Sequence, residues 1–407
     1  MLNLFRRCPH IAPAYSRKPR IRNYHAGHSD VPSKGDKVVV AMSGGVDSSV
    51  VAKILADKDY DLSAVFMRNW DTQDESGTDY GCEWKKDWED VQRVCRMLDI
   101  PVRMVDLSRE YWLRVFEPSL RIWQLGHTPN PDVWCNKEIK FGALLEHLAE
   151  DPAFSKVPWL ATGHYAHKDW KLTPDSSRPR PRLLKHRDTT KDQTYYLSSM
   201  RETSLSRALF PLSGLKKTEV RELAAAWKLP TATRKESMGI CFVGEKRKFD
   251  EFLSQYVTPK PGPIIDITTG KQVAAHQGLW SHTIGQGAKI SGLPRKMFVV
   301  KKDLEANTIF TAPGTDHPAL YVNNIRVSDF NWVWADSPPK EVLQTSGLKA
   351  RMKYRHRMTD VACTVYHDDL GMRIAFDEPQ RAVAPGQIAS IYLGDWCLGC
   401  GVIDSSE

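Results

Sequence analysis

Residues 43–49, Ser-Gly-Gly-Val-Asp-Ser-Ser, constrain this chain more than any other stretch. They follow the apolar run 38–42 and open a segment, 46–57, in which Val46, Val50 and Ile54 recur on one helix face, as do Val51 and Leu55. Strand, glycine turn and helix N-terminus in that order make an anion cradle. Glycine lets backbone N–H groups approach without a Cβ in the way, and the helix end adds partial positive charge. Phosphate suits such a loop; a plain glycine turn joining strand to helix is the alternative. The lysine of G-x-x-x-x-G-K-[ST] is missing and so is G-x-G-x-x-G, which excludes the P-loop NTPase and dinucleotide readings.

The strand–helix pattern continues downstream. Candidate strands at 38–42, 62–70, 102–107 and 159–165 alternate with candidate helices at 46–57, 84–98, 110–125 and 137–150, predicting an α/β, doubly wound parallel sheet. The stretches 71–81 and 171–182 read as surface insertions. A further helix, 216–229, stops at Pro230. Past Met297 the pattern changes to short alternating strands at 298–302, 308–311, 348–354, 361–367, 372–376 and 388–393, which predict a small antiparallel β-barrel. The 407 residues suit more than one core. The expected division is a basic segment 1–35, an α/β catalytic domain 36–235, a central domain 236–318 and a C-terminal β-barrel 319–407.

No run of 18 apolar residues occurs, so no membrane-spanning helix is expected. The formal charge of +8 is concentrated at one end: residues 1–35 hold seven basic side chains and a single acid, Asp30. An Arg-rich, acid-poor opening reads as a mitochondrial transit segment, and a basic arm that touches nucleic acid is the alternative. Eight cysteines are scattered along the chain without a secretory signal, which argues against a disulfide framework.

Two of those cysteines have unusual settings. Cys135 lies in Asn130-Pro131-Asp132-Val133-Trp134-Cys135-Asn136-Lys137, expected to be a loop leading into a helix, where the helix end and Lys137 favour a thiolate. Cys241 follows Glu236-Ser237-Met238-Gly239-Ile240, with Gly239 permitting a tight backbone approach. Each alone is also compatible with a structural role.

The loop Ser43–Ser49 resembles that of the PP-loop ATP pyrophosphatases. Together with NPDxxCNKxIKF at 130–141, Gly163-His164-Tyr165-Ala166, Lys191-Asp192-Gln193, ESMGICF at 236–242, His276-Gln277-Gly278, His282-Thr283-Ile284-Gly285-Gln286 and Ala384-Pro385-Gly386-Gln387, it resembles the tRNA-specific 2-thiouridylases of the MnmA type, in their mitochondrial branch. The resemblance implies a PP-loop domain, a small central domain and a C-terminal barrel. It also implies ATP-dependent exchange of the 2-oxygen of a wobble uridine for sulfur.

By that resemblance Ala41, Met42, Ser43, Gly44, Gly45, Val46, Asp47, Ser48 and Ser49 would bind ATP, with Met67 and Gly163 beside the adenosine. Asp47 would help hold Mg2+ through the pyrophosphate. Asn130, Pro131 and Asp132 would meet the base; His164, Lys191, Asp192, Gln193, Arg351, Met352 and Gln387 would contact or sense tRNA. Cys241 would carry a persulfide supplied by a sulfur donor or carrier. Cys135 would be its catalytic partner, Asp132 would move protons, and the two cysteines would end as a disulfide. The chain departs from the family pattern at Met238, at Gly287-Ala288-Lys289, around Arg351-Met352-Lys353-Tyr354-Arg355, and at Cys400, where glycine is usual. Rival readings are an iron–sulfur cluster on Cys135, Cys241 and Asp132, or a non-catalytic tRNA-binding factor gated by ATP. The Cys397–Cys400 pair lacks the second pair of a zinc site, and the aromatic stretches 331–334 and 392–396 are expected in the barrel core rather than stacked on bases.

Overall fold

The computed structural model describes residues 31–70, 83–152, 158–173, 178–235, 249–369 and 371–407. Residues 1–30, the interruption at 71–81 and the segment around Cys241 lie outside the described residues.

The chain begins with β1 (Lys37–Met42), β2 (Asp61–Arg68), β3 (Val102–Asp106) and β4 (Trp159–Ala161). After the hairpin β5 (His167–Lys171) and β6 (Arg180–Leu184) comes the short β7 (Ala208–Leu209). Strands β3-β2-β1-β4-β7 form one parallel sheet. The unbroken apolar run of β1 reflects its central place: Val38 and Val40 face a cluster with Val50 and Leu55 of helix α1 (Val46–Ala56), and Val39 faces the opposite cluster with Phe116, Ile139 and Leu144. Helices therefore cover both faces, as the doubly wound pattern predicted. The sheet grows one way from β1 through β2 to β3 and the other way through β4, so the crevice at the carboxyl ends of β1 and β4 is a topological switch point.

Two helices differ from expectation. Ser108–Tyr111, Trp112–Phe116 and Glu117–Gln124 abut as one helix with a widened middle. The helix expected at 137 begins six residues earlier as Pro131–Trp134, widens to i→i+5 bonding over Cys135–Ala143, and ends as Leu144–Glu150. Asn130 causes the early start: its side-chain oxygen accepts the Val133 N–H at 3.4 Å, and Pro131 in the first turn gives up no needed donor.

The central sheet contains β8 (Gly262–Asp266), β9 (Gln272–His276), β10 (Met297–Asp303) and β11 (Thr308–Pro313), in the order β10-β11-β8-β9. The segments 298–302 and 308–311, which the strand pattern grouped with the barrel but the expected division placed in the central domain 236–318, thus belong to the central sheet. The barrel itself is β12 (Tyr321–Trp332), β13 (Leu348–Lys353), β14 (Val361–Asp368), β15 (Gly371–Arg381), β16 (Ile388–Leu393) and β17 (Trp396–Ser406), closed by the antiparallel pairing of β12 with β17. Its inward residues include Met352, Val365, Ile374 and Ile391. The expected insertion at 171–182 includes the end of β5 and the start of β6, which extend the barrel sheet through β17. Of the aromatics expected in the barrel core, Trp332 and Trp396 pack against it, whereas Trp334 and Tyr392 are buried in the cluster shared with Leu183, Leu197 and Phe210 of the α/β domain.

Candidate active site

The glycine loop sits at the switch point. Gly44 has φ +75°, and a Cβ on it would lie 2.8 Å from the Asp87 carbonyl oxygen, so glycine is required both by conformation and by space. The hydroxyls of Ser48 and Ser49 donate back to the Gly45 carbonyl at 3.2 and 2.8 Å. Gly45 offers no side-chain cap, which leaves the first-turn N–H groups of α1 to an incoming anion. Gly163, just past β4, packs on this turn: a Cβ there would lie 3.0 Å from the Ser48 nitrogen. Ala41 and Met67, at the carboxyl ends of β1 and β2, are partly buried against the core, and Met42 is buried beneath the loop.

Asp47 is where geometry departs most from expectation. Both its oxygens accept from Lys217 Nζ, at 2.7 and 2.8 Å, and the Tyr165 hydroxyl donates to Oδ1 at 2.8 Å. An ammonium on both oxygens repels a second cation, so the arrangement does not fit Mg2+ bound directly to Asp47. Asp47 instead anchors the loop. Lys217, Tyr165 and Arg234, which donates to the Gly44 carbonyl at 3.1 Å and pairs with Asp87 and Asp90, escaped the sequence reading as loop supports. Tyr165 lies in the Gly163-His164-Tyr165-Ala166 motif; Lys217 and Arg234 carry no local signal, since their partners are far away in sequence.

On the helix beginning at Pro131, Cys135 is 5% exposed and lies beyond the first turn, not at the helix end as predicted. Lys137 is engaged with Glu138 at 3.6 Å. The residue near the helix end is Asp132, whose carboxyl is pushed above its ordinary range by burial while the Lys140 charge holds it back. Asn130, expected at the base, serves as the cap, with its Nδ2 3.5 Å from the Tyr195 hydroxyl. Pro131 is buried. His164 faces this helix through Phe141, ring centroids 6.0 Å apart, and accepts or donates at Nδ1 with Thr162 at 2.9 Å. Burial first, and then Lys140, push its imidazole well below the ordinary range, so it is neutral.

The expected tRNA contacts separate into different roles. Gln387 Nε2 donates to the carbonyls of Thr128 and Pro129 at 2.8 and 3.2 Å, and the Thr128 N–H donates to Pro385, so the barrel loop clamps the segment leading to Asn130. Asp192 is 3% exposed and accepts from Lys353 Nζ and from the His186 N–H, each at 3.0 Å; Gln193 accepts the Tyr165 N–H. Met352 points into the barrel core and Arg351 pairs with Asp360 at 2.5 Å. Strand β13 therefore brings Lys353, rather than Arg351 or Met352, against the Lys191–Gln193 segment, and the side chains of Asp192 and Met352 are structural. Cys397 and Cys400 are buried, and no cluster of three or more metal-ligating side chains occurs among the described residues.

Three family models match in succession: "tRNA methyl transferase HUP domain" over residues 36–245, "tRNA methyl transferase PRC-barrel domain" over 250–313 and "Aminomethyltransferase beta-barrel domain" over 322–403. Among relatives, "tRNA-specific 2-thiouridylase MnmA" of Alkaliphilus oremlandii is 44% identical over 376 residues, covering 91% of this chain and 98% of that one. "Mitochondrial tRNA-specific 2-thiouridylase 1" of Gallus gallus is 39% identical over 396 residues, covering 91% of this chain and 92% of that one. The MnmA of Shouchella clausii is 43% identical over 371 residues, covering 90% and 96%. Identity sustained across three domains, with the loop glycines and the Asn130 cap in place, makes this chain a member of the MnmA family of tRNA-specific 2-thiouridylases.

Proposed function

We propose that this chain forms 2-thiouridine at the wobble position of tRNA, by adenylating the uridine 2-oxygen and then replacing it with persulfide sulfur. The observation that carries the reading is the meeting of two sites at one crevice. The phosphate loop packs on Gly163, and the next residue, His164, faces the helix of Asp132 and Cys135. An amide-like oxygen is a poor leaving group, and transfer of AMP to it makes a good one. A methyl donor has no pyrophosphate for this loop to hold, so the methyl-transferase wording of the family models is not the reading the site supports.

In the first step the uridine 2-oxygen bonds to the α-phosphorus of ATP, the bond to pyrophosphate breaks, and the base loses its N3 proton, for which Asp132 is the nearby acceptor. Mg2+ would accompany ATP through phosphate oxygens and water and neutralise the departing charge. In the second step the terminal sulfur of a Cys241 persulfide bonds to C2 and AMP leaves. Cys135 thiolate then attacks Cys241 Sγ, the S–S bond to the transferred sulfur breaks, and C2 keeps its sulfur as a thiocarbonyl. Two thiols become a Cys135–Cys241 disulfide, and an external dithiol must reduce it before the next turnover. Cys135 is 5% exposed, so its sulfur is largely screened from bulk water. Neither a cluster-dependent route nor a purely binding role is needed.

Mitochondrial residence is the location we propose. It is supported by the Arg-rich residues 1–35 and by the name of the Gallus relative, and import of a reporter fused to that segment tests it. Nucleoside mass spectrometry of tRNA incubated with the protein, ATP and a persulfide donor tests the chemistry. The expected products are 2-thiouridine, AMP and pyrophosphate; Cys135→Ser is expected to accumulate persulfide on Cys241, and Cys241→Ser to accept none. Thiolation that persists in both variants would refute the assignment.

A further inference from the structure

We infer that Lys140 supplies the positive charge that stabilises AMP transfer to the uridine 2-oxygen, and that the widened helix puts it there. The inference rests on the adenylation reading above and extends it to a residue with no role so far.

Lys140 is eight residues beyond Asp132. In a uniform α-helix it would point about 80° away from Asp132, at about 100° per residue. Between Cys135 and Ala143 the helix instead bonds i→i+5, with roughly 4.4 residues per turn, and the angular offset falls to about 10°. Side chains lean toward the helix N-terminus, so the long lysine reaches back over the intervening turns toward Asp132. The adjoining Phe141 packs on His164, whose neighbour Gly163 lies against the Ser48 nitrogen of the phosphate loop. Lys140 thus stands on the helix that runs from the Asp132–Cys135 face to the His164–Gly163 edge of the phosphate loop. Its electrostatic influence on both Asp132 and His164 agrees with that placement.

Charge accounting separates Lys140 from the other lysines nearby. Lys217 is paired with Asp47, Lys353 with Asp192, Lys185 with Asp360 and Lys137 with Glu138. Among the described residues Lys140 has no ion-pair partner. A partly buried ammonium without a counter-ion is open to an incoming anion. During AMP transfer the α-phosphate is that anion, as its negative charge shifts onto the bridging and leaving oxygens. A fixed cation in a water-poor crevice stabilises that shift without reorganisation.

The test is tRNA-dependent exchange of labelled pyrophosphate into ATP, measured with full-length protein carrying Lys140→Met or Lys140→Arg. Lys140→Met is expected to lower kcat for exchange by about 10²–10³, with KM for ATP and for tRNA changed by no more than about threefold. Lys140→Arg restores at least about a tenth of the rate, because the charge is kept. Persulfide loading of Cys241 is unchanged in both variants. Should Lys140→Met fail to fold, as judged by thermal unfolding, Lys140→Gln takes its place. A retained kcat with raised KM for tRNA would make Lys140 a mere RNA phosphate contact and overturn the inference. Exchange at the wild-type rate would overturn it as well. Absence of exchange in the wild type would instead remove the adenylation reading itself, and the inference with it.

Discussion

Replacing Lys217 with methionine removes one charge from the phosphate loop while keeping most of the side chain's bulk. In the native arrangement Lys217 Nζ spans both Asp47 oxygens at 2.7 and 2.8 Å, and their side chains are 11% and 30% exposed. Breaking a fully buried pair costs about 3–5 kcal/mol, and an exposed pair is worth about 0–1 kcal/mol. With the lysine end buried and the carboxylate partly in water, Lys217→Met is expected to cost about 2 kcal/mol of stability. The Tyr165 hydroxyl remains on Oδ1 and limits the damage. Asp47→Asn is expected to cost a similar amount. The double variant loses much less than the sum, because the second change no longer strands a charge; a coupling of about 1–2 kcal/mol follows. Urea unfolding of the four proteins measures that cycle. Pyrophosphate release in Lys217→Met is expected to fall by about 10²-fold, since a loop displaced by 1 Å no longer holds the phosphates in line. Its Mg2+ dependence stays as in the wild type, because Asp47 is an anchor. Additive single-variant costs, or a tightened Mg2+ dependence once Asp47 is freed, would refute the anchoring argument.

Two further predictions concern the helix that carries Asp132 and the segment that leads into it. Burial raises the Asp132 carboxyl above the ordinary 3.8, with Lys140 opposing on its own helix, Tyr196 facing it and Arg357 beyond Tyr196, so the thiolation rate is expected to show an acid limb above that value, which Asp132→Asn abolishes. In stability the sign is fixed by the raised folded value: the contribution of Asp132 is fully present below its unfolded pKa and is lost as pH rises through the folded pKa, so an opposite trend in the wild-type minus Asp132→Asn difference contradicts the assignment. Gly386 has φ +90°, and a Cβ on it would lie 2.8 Å from the Thr128 nitrogen. Gly386→Ala is therefore expected to cost about 2–3 kcal/mol and to displace the segment before Asn130, lowering thiolation at least tenfold while leaving ATP affinity unchanged; normal thiolation would show the barrel clamp to be dispensable.

The clamp explains what the barrel contributes to a site built on another domain. Asp192 and Lys353 form a buried ion pair across the two, and Gln387 holds the carbonyls of Thr128 and Pro129. A buried pair of this kind adds little net stability but strongly penalises wrong docking, because separation leaves a charge stranded. Barrel residues thus set the position of the helix that carries Asp132 and Cys135.

The sequence by itself determined the α/β class, the phosphate loop and the family. The first two rest on local information: a continuous apolar strand, glycines at a turn and a helical repeat act within a dozen residues and require no partner elsewhere, whereas the family rests on a resemblance carried by short motifs from residue 43 to residue 387. The early helix start at Asn130 is local too: an Asn cap followed by Pro131 marks it within two residues. Tertiary structure alone decided which groups surround the loop. Lys217 meets Asp47 across 170 positions, and Gly163 meets Ser48 only because β4 is laid beside β1. It also decided that residues 298–302 pair with 308–311, that the latter pair with β8 on their other side, and that β12 closes on β17, since a strand's alternation records which face is buried but not which neighbour shares its hydrogen bonds. The surroundings of a carboxylate were equally invisible: Asp132 and Asp47 both stand in the first turn of a helix, yet burial pushes the Asp132 carboxyl up and Asp47 is held by the ammonium of Lys217, because burial and ion pairing depend on distances that only the folded chain defines.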